Sequence, residues 1–251
     1  MSERENKSES QNIYHLIILD SSSSMGSVRN ETISGLNEQL QSIKKASIDF
    51  KAQIQKVCFV TFDSEVKIGQ IWNKSVEEIP DFNKETYCPD GCTALLDGIG
   101  MGVTKLKNEI SKELLERKAT VVVTIFTDGE ENSSREFNRE QVKTLLQEVQ
   151  DSGQWTVAFL GCGSDVLNVA ESLNISRANT MEYSVGSAGT NQAFTIMANA
   201  RYARSCAYNS CDSLESMTQV NKTVGFFDNL DLDFDDDTQN IGEVESDGDI
   251  E

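Results

Sequence analysis

The chain has 251 residues, 38% of them hydrophobic, and carries 22 Lys and Arg against 41 Asp and Glu, a formal net charge of −19. That length allows one domain of ordinary size or two small ones. The charge excludes nucleic acid as a partner, because phosphates need clustered Lys and Arg, and it excludes electrostatic docking on anionic membranes.

The imbalance is uneven. Residues Phe226–Glu251 hold 11 acids and no base, and removing those charges from −19 leaves −8 for the body. No apolar run approaches the roughly 18 residues that span a bilayer. The start, Met1–Gln11, is polar and lacks the apolar stretch of a secretory signal, so a cytoplasmic protein with reduced thiols is expected. The six cysteines lack CxxC spacing, and Cys58 sits in an apolar run as a buried small hydrophobe.

In chain order, Tyr14–Leu19 is a short apolar run and predicts a buried strand. A Ser-rich loop follows. Ile33, Leu36, Leu40 and Ile43 then mark one face of a helix. Val57–Phe62 predicts a strand. Val66 and Ile68, with Ile71 one step out of phase, predict a second strand after a tight Asp63-Ser64 turn. The two form an antiparallel hairpin. Ser75–Gly91 reads as irregular and holds both prolines, Pro80 and Pro89.

Ile99, Val103, Leu106, Ile110 and Leu114 predict one long helix. Gly98, Gly100 and Gly102 lie inside that pattern, which points to close packing on the sheet. Ala119–Thr127 is the most apolar run, as in a strand covered on both faces. Val142–Val149 predicts a helix, Trp155–Leu160 a strand, and Val166–Leu173 a short helix. Thr180–Val185 is a weaker strand and Ala193–Ala207 a closing helix. His15, in mid-strand, reads as a packed residue. Gly161-x-Gly163 lacks the third glycine of a dinucleotide fingerprint, since position 166 is Val166.

Alternating strands and helices predict a Rossmann-like, doubly wound α/β sheet, mostly parallel, with one antiparallel edge strand and helices on both faces. The expected organisation is a flexible start over 1–11, a domain over 12–185, a helical extension packed on it over 186–225, and an acidic disordered tail over 226–251. The tail alternates acids with Phe226, Phe227, Leu230, Leu232 and Phe234, a composition common in interaction segments and equally in solubilising ones.

Ligand sites of open α/β sheets lie at the carboxyl ends of the strands. Asp20-Ser21-Ser22-Ser23-Ser24-Met25-Gly26 follows the first strand and Asp128-Gly129-Glu130-Glu131 the most apolar one. Gly91-Cys92-Thr93 precedes the long helix. The period of two along Asp-x-Ser-x-Ser points Asp20, Ser22 and Ser24 the same way on an extended loop. Carboxylates and hydroxyls without His select a hard cation such as Mg2+. Glu130 and Glu131 either rim that site or face solvent.

These segments resemble the von Willebrand factor A domain family. Asp20-x-Ser22-x-Ser24 with Met25-Gly26, Thr93 within GCTALLDGIG, and Asp128 within IFTDGE look like a complete metal-ion-dependent adhesion site. The resemblance spans about Asn12–Val185, in the family's order, and its style is similar to the small soluble members from bacteria and their viruses. It implies a Mg2+, with Mn2+ as the other option, held by the hydroxyls of Ser22, Ser24 and Thr93. Asp20 would lie near the metal and reach it through water, and Asp128 would bind through water or stand just behind the ligands. It also implies an open position filled by an Asp or Glu of a partner protein. Family members often work beside ATPases or multi-protein stress and defence systems, so such a partner is expected. The expected function is a binding module without enzymatic activity. Two readings stand beside it: an assembly subunit whose metal only stiffens the loops, and a Mg2+-dependent phosphohydrolase. The phosphohydrolase reading lacks a His or Lys in the three loops.

Overall fold

The computed structural model describes residues 10–184 and 186–228. In chain order the elements are β1 (Gln11–Asp20), α1 (Arg29–Asp49), β2 (Gln53–Phe62), β3 (Val66–Ile68), β4 (Lys74–Ser75), α2 (Leu95–Glu109) and α3 (Ser111–Leu115). Then come β5 (Ala119–Thr127), α4 (Arg139–Asp151), β6 (Trp155–Cys162), α5 (Val166–Ser172), β7 (Thr180–Tyr183), α6 (Ser187–Asn209) and α7 (Leu214–Thr223).

One sheet runs β3-β2-β1-β5-β6-β7. β1 is parallel to both β2 and β5, and β5, β6 and β7 continue the parallel set. β3 and β4 both pair antiparallel with β2 and form one edge in two pieces. Between the pieces the Phe59 N–H donates to the Ile71 carbonyl at 2.8 Å. This is the expected fold class, a doubly wound α/β sheet with an antiparallel edge. The chain turns from β1 to β2 on one side and later crosses to β5 on the other. The strand order therefore reverses at β1, and the carboxyl ends of β1 and β5 flank the crevice.

Alternation along β1 divides the core. Ile13, Ile17 and Leu19 join the layer of α1, α6 and α7, through Leu36, Leu40, Phe194, Met197 and Met217. Tyr14, Leu16 and Ile18 join the layer of α2, α4 and α5, through Ile99, Val103, Leu146 and Ala170. All nine residues of β5 are buried, as a strand covered on both faces requires. α4 opens on a capping box: Asn138 Oδ1 accepts from the Gln141 N–H at 3.0 Å, and Gln141 Oε1 accepts from the Asn138 N–H at 2.9 Å.

Close approach explains the helix glycines. A Cβ on Gly98 would stand 2.7 Å from the Phe62 ring, and one on Gly102 would stand 3.3 Å from Val60. Both therefore press α2 onto the sheet as expected. Gly100 instead faces Phe137 of the loop before α4. On the other layer a Cβ on Gly35 would lie 2.1 Å from Phe194 Cγ, so this glycine lets α6 cross α1.

Several boundaries differ from the sequence reading. The long helix breaks at Ile110, which is buried, and α3 turns so that Glu113 accepts from Asn12 Nδ2 at 2.7 Å and from the Tyr14 hydroxyl. α6 begins six residues before Ala193, because its first turn is polar and carries no apolar period. Ser75–Gly91 has little regular structure yet is packed, with Val76, Ile79, Phe82 and Tyr87 buried.

The helical extension is tied to the sheet. Asn221 of α7 accepts from Thr156 of β6 at 3.0 Å and from the Tyr208 hydroxyl at 2.6 Å, and donates to the Gly153 carbonyl at 2.9 Å. Phe226 was expected to open the acidic tail, but it is buried in the core, with its N–H donated to Asn179 Oδ1 at 2.7 Å. The packed body thus runs on at least to Phe226, because burying a large aromatic ring outweighs the pull of the neighbouring acids towards water. The rest of that tail, 229–251, lies outside the described residues, as does most of the expected flexible start and Val185 of the last strand. No helix of the described residues is long and apolar enough to cross a membrane.

Candidate functional site

The carboxyl ends of β1 and β5 bring together the loops singled out in the sequence. Asp20 ends β1 and is fully buried. Its Oδ1 accepts from the Ser22 N–H at 2.7 Å and its Oδ2 from the Thr127 hydroxyl at 2.6 Å. Ser22 Oγ lies 3.0 Å from Ser24 Oγ, and the Ser24 hydroxyl donates to Asp128 Oδ1 at 2.6 Å. The period-two loop thus points Asp20, Ser22 and Ser24 into one chain of polar contacts that ends on Asp128. Ser21, an intervening residue, turns away and donates to the Phe62 carbonyl at 3.1 Å.

Thr93 is buried just ahead of α2. Its N–H donates to Asn132 Oδ1 at 2.9 Å, and its carbonyl accepts from the Asn132 N–H at 3.0 Å. A Cβ on Gly129 would stand 3.2 Å from Thr93 Oγ1 and 3.9 Å from Asp20 Oδ2, so these two oxygens converge above Gly129. All five residues expected as metal ligands therefore sit at one edge.

Residues beyond the five expected ligands hold this arrangement. Thr127 bridges Asp20 and the Gly129 carbonyl. The buried Tyr87 hydroxyl donates to the Asp20 carbonyl at 2.7 Å, and Tyr183 donates to the Thr127 carbonyl at 3.2 Å. Glu131 is neither rim nor solvent-facing. Its carboxylate accepts from the N–H groups of Leu96, Ser133 and Ser134, which pins the β5–α4 loop to the start of α2. Glu130 is the exposed one. For Thr127, its position beside Asp128 was an available signal. Tyr87 lies in the aperiodic stretch and offered none.

The electrostatics are unbalanced. Neither Asp20 nor Asp128 forms an ion pair with a base among the described residues. Burial pushes the Asp20 carboxyl above the usual range; the hydrogen bonds from Thr127 and Ser22 oppose this, and the Asp128 charge adds to it. Burial also raises Asp128, against the Ser24 hydrogen bond. The Tyr87 and Tyr183 hydroxyls are pushed upward, first by burial and then by these carboxylate charges.

Among the described residues no three His, Cys, Asp or Glu side chains group as a metal site. The edge offers two carboxylates and three hydroxyls instead. That donor chemistry fits a hard cation, and the two uncompensated carboxylates fit its charge.

Other expectations can be placed. His15 is packed, with Nε2 2.7 Å from Gln55 Oε1 and Nδ1 2.7 Å from Arg201 Nη1. Arg201 is itself buried and also donates to Gln39 and Thr124. All six cysteines are unpaired. Gly161-x-Gly163 is a strand-to-helix turn, with Gly163 at φ +96°.

No protein-family model matches the chain, and no curated protein matches it by sequence. Solved structures do match. Proximal thread matrix protein 1 from the mussel byssus aligns with 78% of this chain and 47% of its own at 15% identity, TM-score 0.51. The PilB minor pilin from Streptococcus sanguinis aligns with 78% of this chain and 62% of its own at 12% identity, TM-score 0.51. The pilus adhesin SpaC from Lactobacillus rhamnosus GG aligns with 78% of this chain and 31% of its own at 14% identity, TM-score 0.50. The chain thus spans less than two thirds of each of these proteins, and at such identities what it shares with them is the fold.

Proposed function

We propose that the chain is a von Willebrand factor A-type binding module that holds Mg2+ or Mn2+ at Asp20, Ser22, Ser24, Thr93 and Asp128 and grips an Asp or Glu of a partner protein. One observation carries the reading. Two carboxylates, Asp20 and Asp128, share one hydroxyl-lined edge without an ion-pair partner among the described residues. A bound cation would supply an open coordination position for an outside carboxylate. Thr127, Ser22 and Tyr87 orient Asp20, and Asn132 and Glu131 fix the loops bearing Thr93 and Asp128. No His or Lys hydrogen-bonds either carboxylate among the described residues, which favours binding over hydrolysis. Six unpaired cysteines suit a reducing, cytoplasmic setting. The partner presents an acidic residue and could belong to an ATPase or a multi-protein stress or defence system.

The test has two parts. Calorimetric titration with MgCl2 and MnCl2 should give saturable binding to the wild type and none to Asp20→Ala. Affinity capture in Mg2+ and in EDTA should then retain a partner with the wild type in Mg2+ alone. A partner kept in EDTA and by Asp20→Ala would mean that the cation plays no part in the grip.

A further inference from the structure

At the end of the sheet away from the carboxylate edge, a cavity of about 620 Å3 opens where α6 gives way to α7. Small-molecule sites typically measure roughly 300–1,000 Å3. The first residues of β1 and β2, Gln11 and Gln53, form one wall. They pair in register, so their side chains leave neighbouring strands about 4.8 Å apart. Gln11 has the parity of Ile13 and Ile17 along β1 and so takes the face covered by α6 and α7. Arg117 lines the cavity from the turn before β5, and the Asn12 N–H donates to the next carbonyl, that of Lys118, at 2.9 Å. The α6–α7 turn forms the other wall and brings Asp212. Tyr208 and Met217, both buried, and the half-buried Leu214 supply apolar surface.

The polar groups of this cavity do not satisfy one another. Gln11 Nε2 is buried and has no hydrogen-bond partner among the described residues. A buried donor left unpaired costs about 1–3 kcal/mol, so it points to an acceptor that the protein itself does not supply. Its neighbour Gln53 cannot serve. Gln53 Nε2 donates to the Ser205 carbonyl at 2.9 Å, and Gln53 Oε1 accepts from Gln55 at 3.0 Å. Neither Arg117 nor Asp212 forms an ion pair among the described residues, with each other or with any other side chain. A base and an orphaned donor thus share one cavity with an acid that they do not neutralise. The Tyr208 hydroxyl is already given to Asn221, which leaves the remaining surface apolar.

We propose that this cavity binds a free α-amino acid with an apolar side chain. The ligand carboxylate accepts from Gln11 Nε2 and from Arg117. Its ammonium donates to Asp212, and its side chain packs on Leu214 and Met217. A zwitterion suits two opposite charges that do not reach each other. A simple anion would meet Asp212, and a simple amine would leave Gln11 without an acceptor. The site does not depend on the cation reading, because it uses the amino ends of the strands and the cation edge uses their carboxyl ends.

The experiment titrates the full chain with L-leucine, 4-methylpentanoate and 3-methylbutylamine. The last two are leucine without its amine and leucine without its carboxylate. Calorimetry should show saturable binding of L-leucine, with each analogue weaker by about tenfold or more, the loss that goes with one charged hydrogen bond. Arg117→Gln should weaken L-leucine and 4-methylpentanoate about tenfold and leave 3-methylbutylamine unchanged. Asp212→Asn should weaken L-leucine and 3-methylbutylamine by a similar factor and spare 4-methylpentanoate. Both side chains are exposed, so the fold should tolerate either change. In the 15N-labelled chain the Gln11 side-chain amide signal should move in step with L-leucine. A signal that stays still, or no saturable binding, overturns the proposal. 4-Methylpentanoate bound as tightly as L-leucine, or an Asp212→Asn variant that binds L-leucine normally, overturns the zwitterion and leaves a carboxylate site. Asp20→Ala should bind L-leucine like the wild type; loss of binding there would move the ligand to the cation edge and overturn the assignment to this cavity.

Discussion

Replacing Asp20 by Asn separates the cost of the site from its use. Asn keeps the shape of Asp20, and its amide oxygen can still accept from the Ser22 N–H or the Thr127 hydroxyl. What it removes is a buried charge facing Asp128 without a basic partner. In EDTA the variant should therefore be more stable than the wild type by about 0.5–2 kcal/mol, the usual gain when a functional strain is relieved. For a body of this size 1 kcal/mol corresponds to about 2–4 °C in Tm, so Asp20→Asn should melt about 1–8 °C higher. The sign carries a pH signature. A carboxyl raised in the folded state binds more protons there than in the unfolded chain, so its contribution is most favourable at low pH and is lost as pH rises through the folded value. The advantage of Asp20→Asn should thus grow as pH rises past the ordinary carboxylate range. Saturating Mg2+ should reverse the order. A cation at 100 times its Kd stabilises the wild type by about 2.7 kcal/mol, or about 5–11 °C, and leaves the variant unmoved. Scanning calorimetry in EDTA and across a rising MgCl2 series reads both effects. A variant less stable than the wild type in EDTA would refute the claim of an uncompensated charge. A wild type indifferent to Mg2+ would refute the cation site.

Three further predictions concern the body. Burial, with the Arg201 charge second, lowers the His15 pKa to about 3 against an opposing hydrogen bond to Gln55. A base with a depressed folded pKa makes the unfolded state bind more protons between about 3 and 6.5, so stability rises with pH through that window, and is lost as pH falls, by up to about 1.4 kcal/mol per unit. His15→Gln should flatten the urea-melt stability profile there relative to the wild type; parallel profiles would contradict it. Gly35→Ala should cost about 1–3 kcal/mol by overpacking, since its Cβ would collide with Phe194, and an unchanged urea midpoint would show that α6 yields freely. Arg201→Ala strips partners from His15, Gln39 and Thr124 and leaves a cavity, so a loss of about 2–4 kcal/mol is expected in the same assay. A loss under 1 kcal/mol would mean that water replaces the guanidinium.

The sequence by itself determined the alternation of strands and helices, hence the doubly wound sheet and its antiparallel edge. Hydrophobic period is a local property: β5 reads as doubly covered because its run is apolar without alternation, and all nine of its residues are buried. The polar segments at the ends of β1 and β5 and ahead of α2 were legible for the same reason, since each is a short continuous run. Tertiary structure decided what period cannot carry. It put Phe226 in the core despite its acidic neighbours, turned Glu131 onto the Leu96 N–H of α2 and the N–H groups of Ser133 and Ser134, and placed Tyr87 from an aperiodic stretch beneath Asp20. It also buried Arg201 against His15, 186 positions away in sequence. Hydrogen-bond partners so far apart along the chain leave no mark on local pattern. The cavity at Gln11 is of this kind as well, because its walls come from segments that meet only once α6 and α7 pack on the sheet.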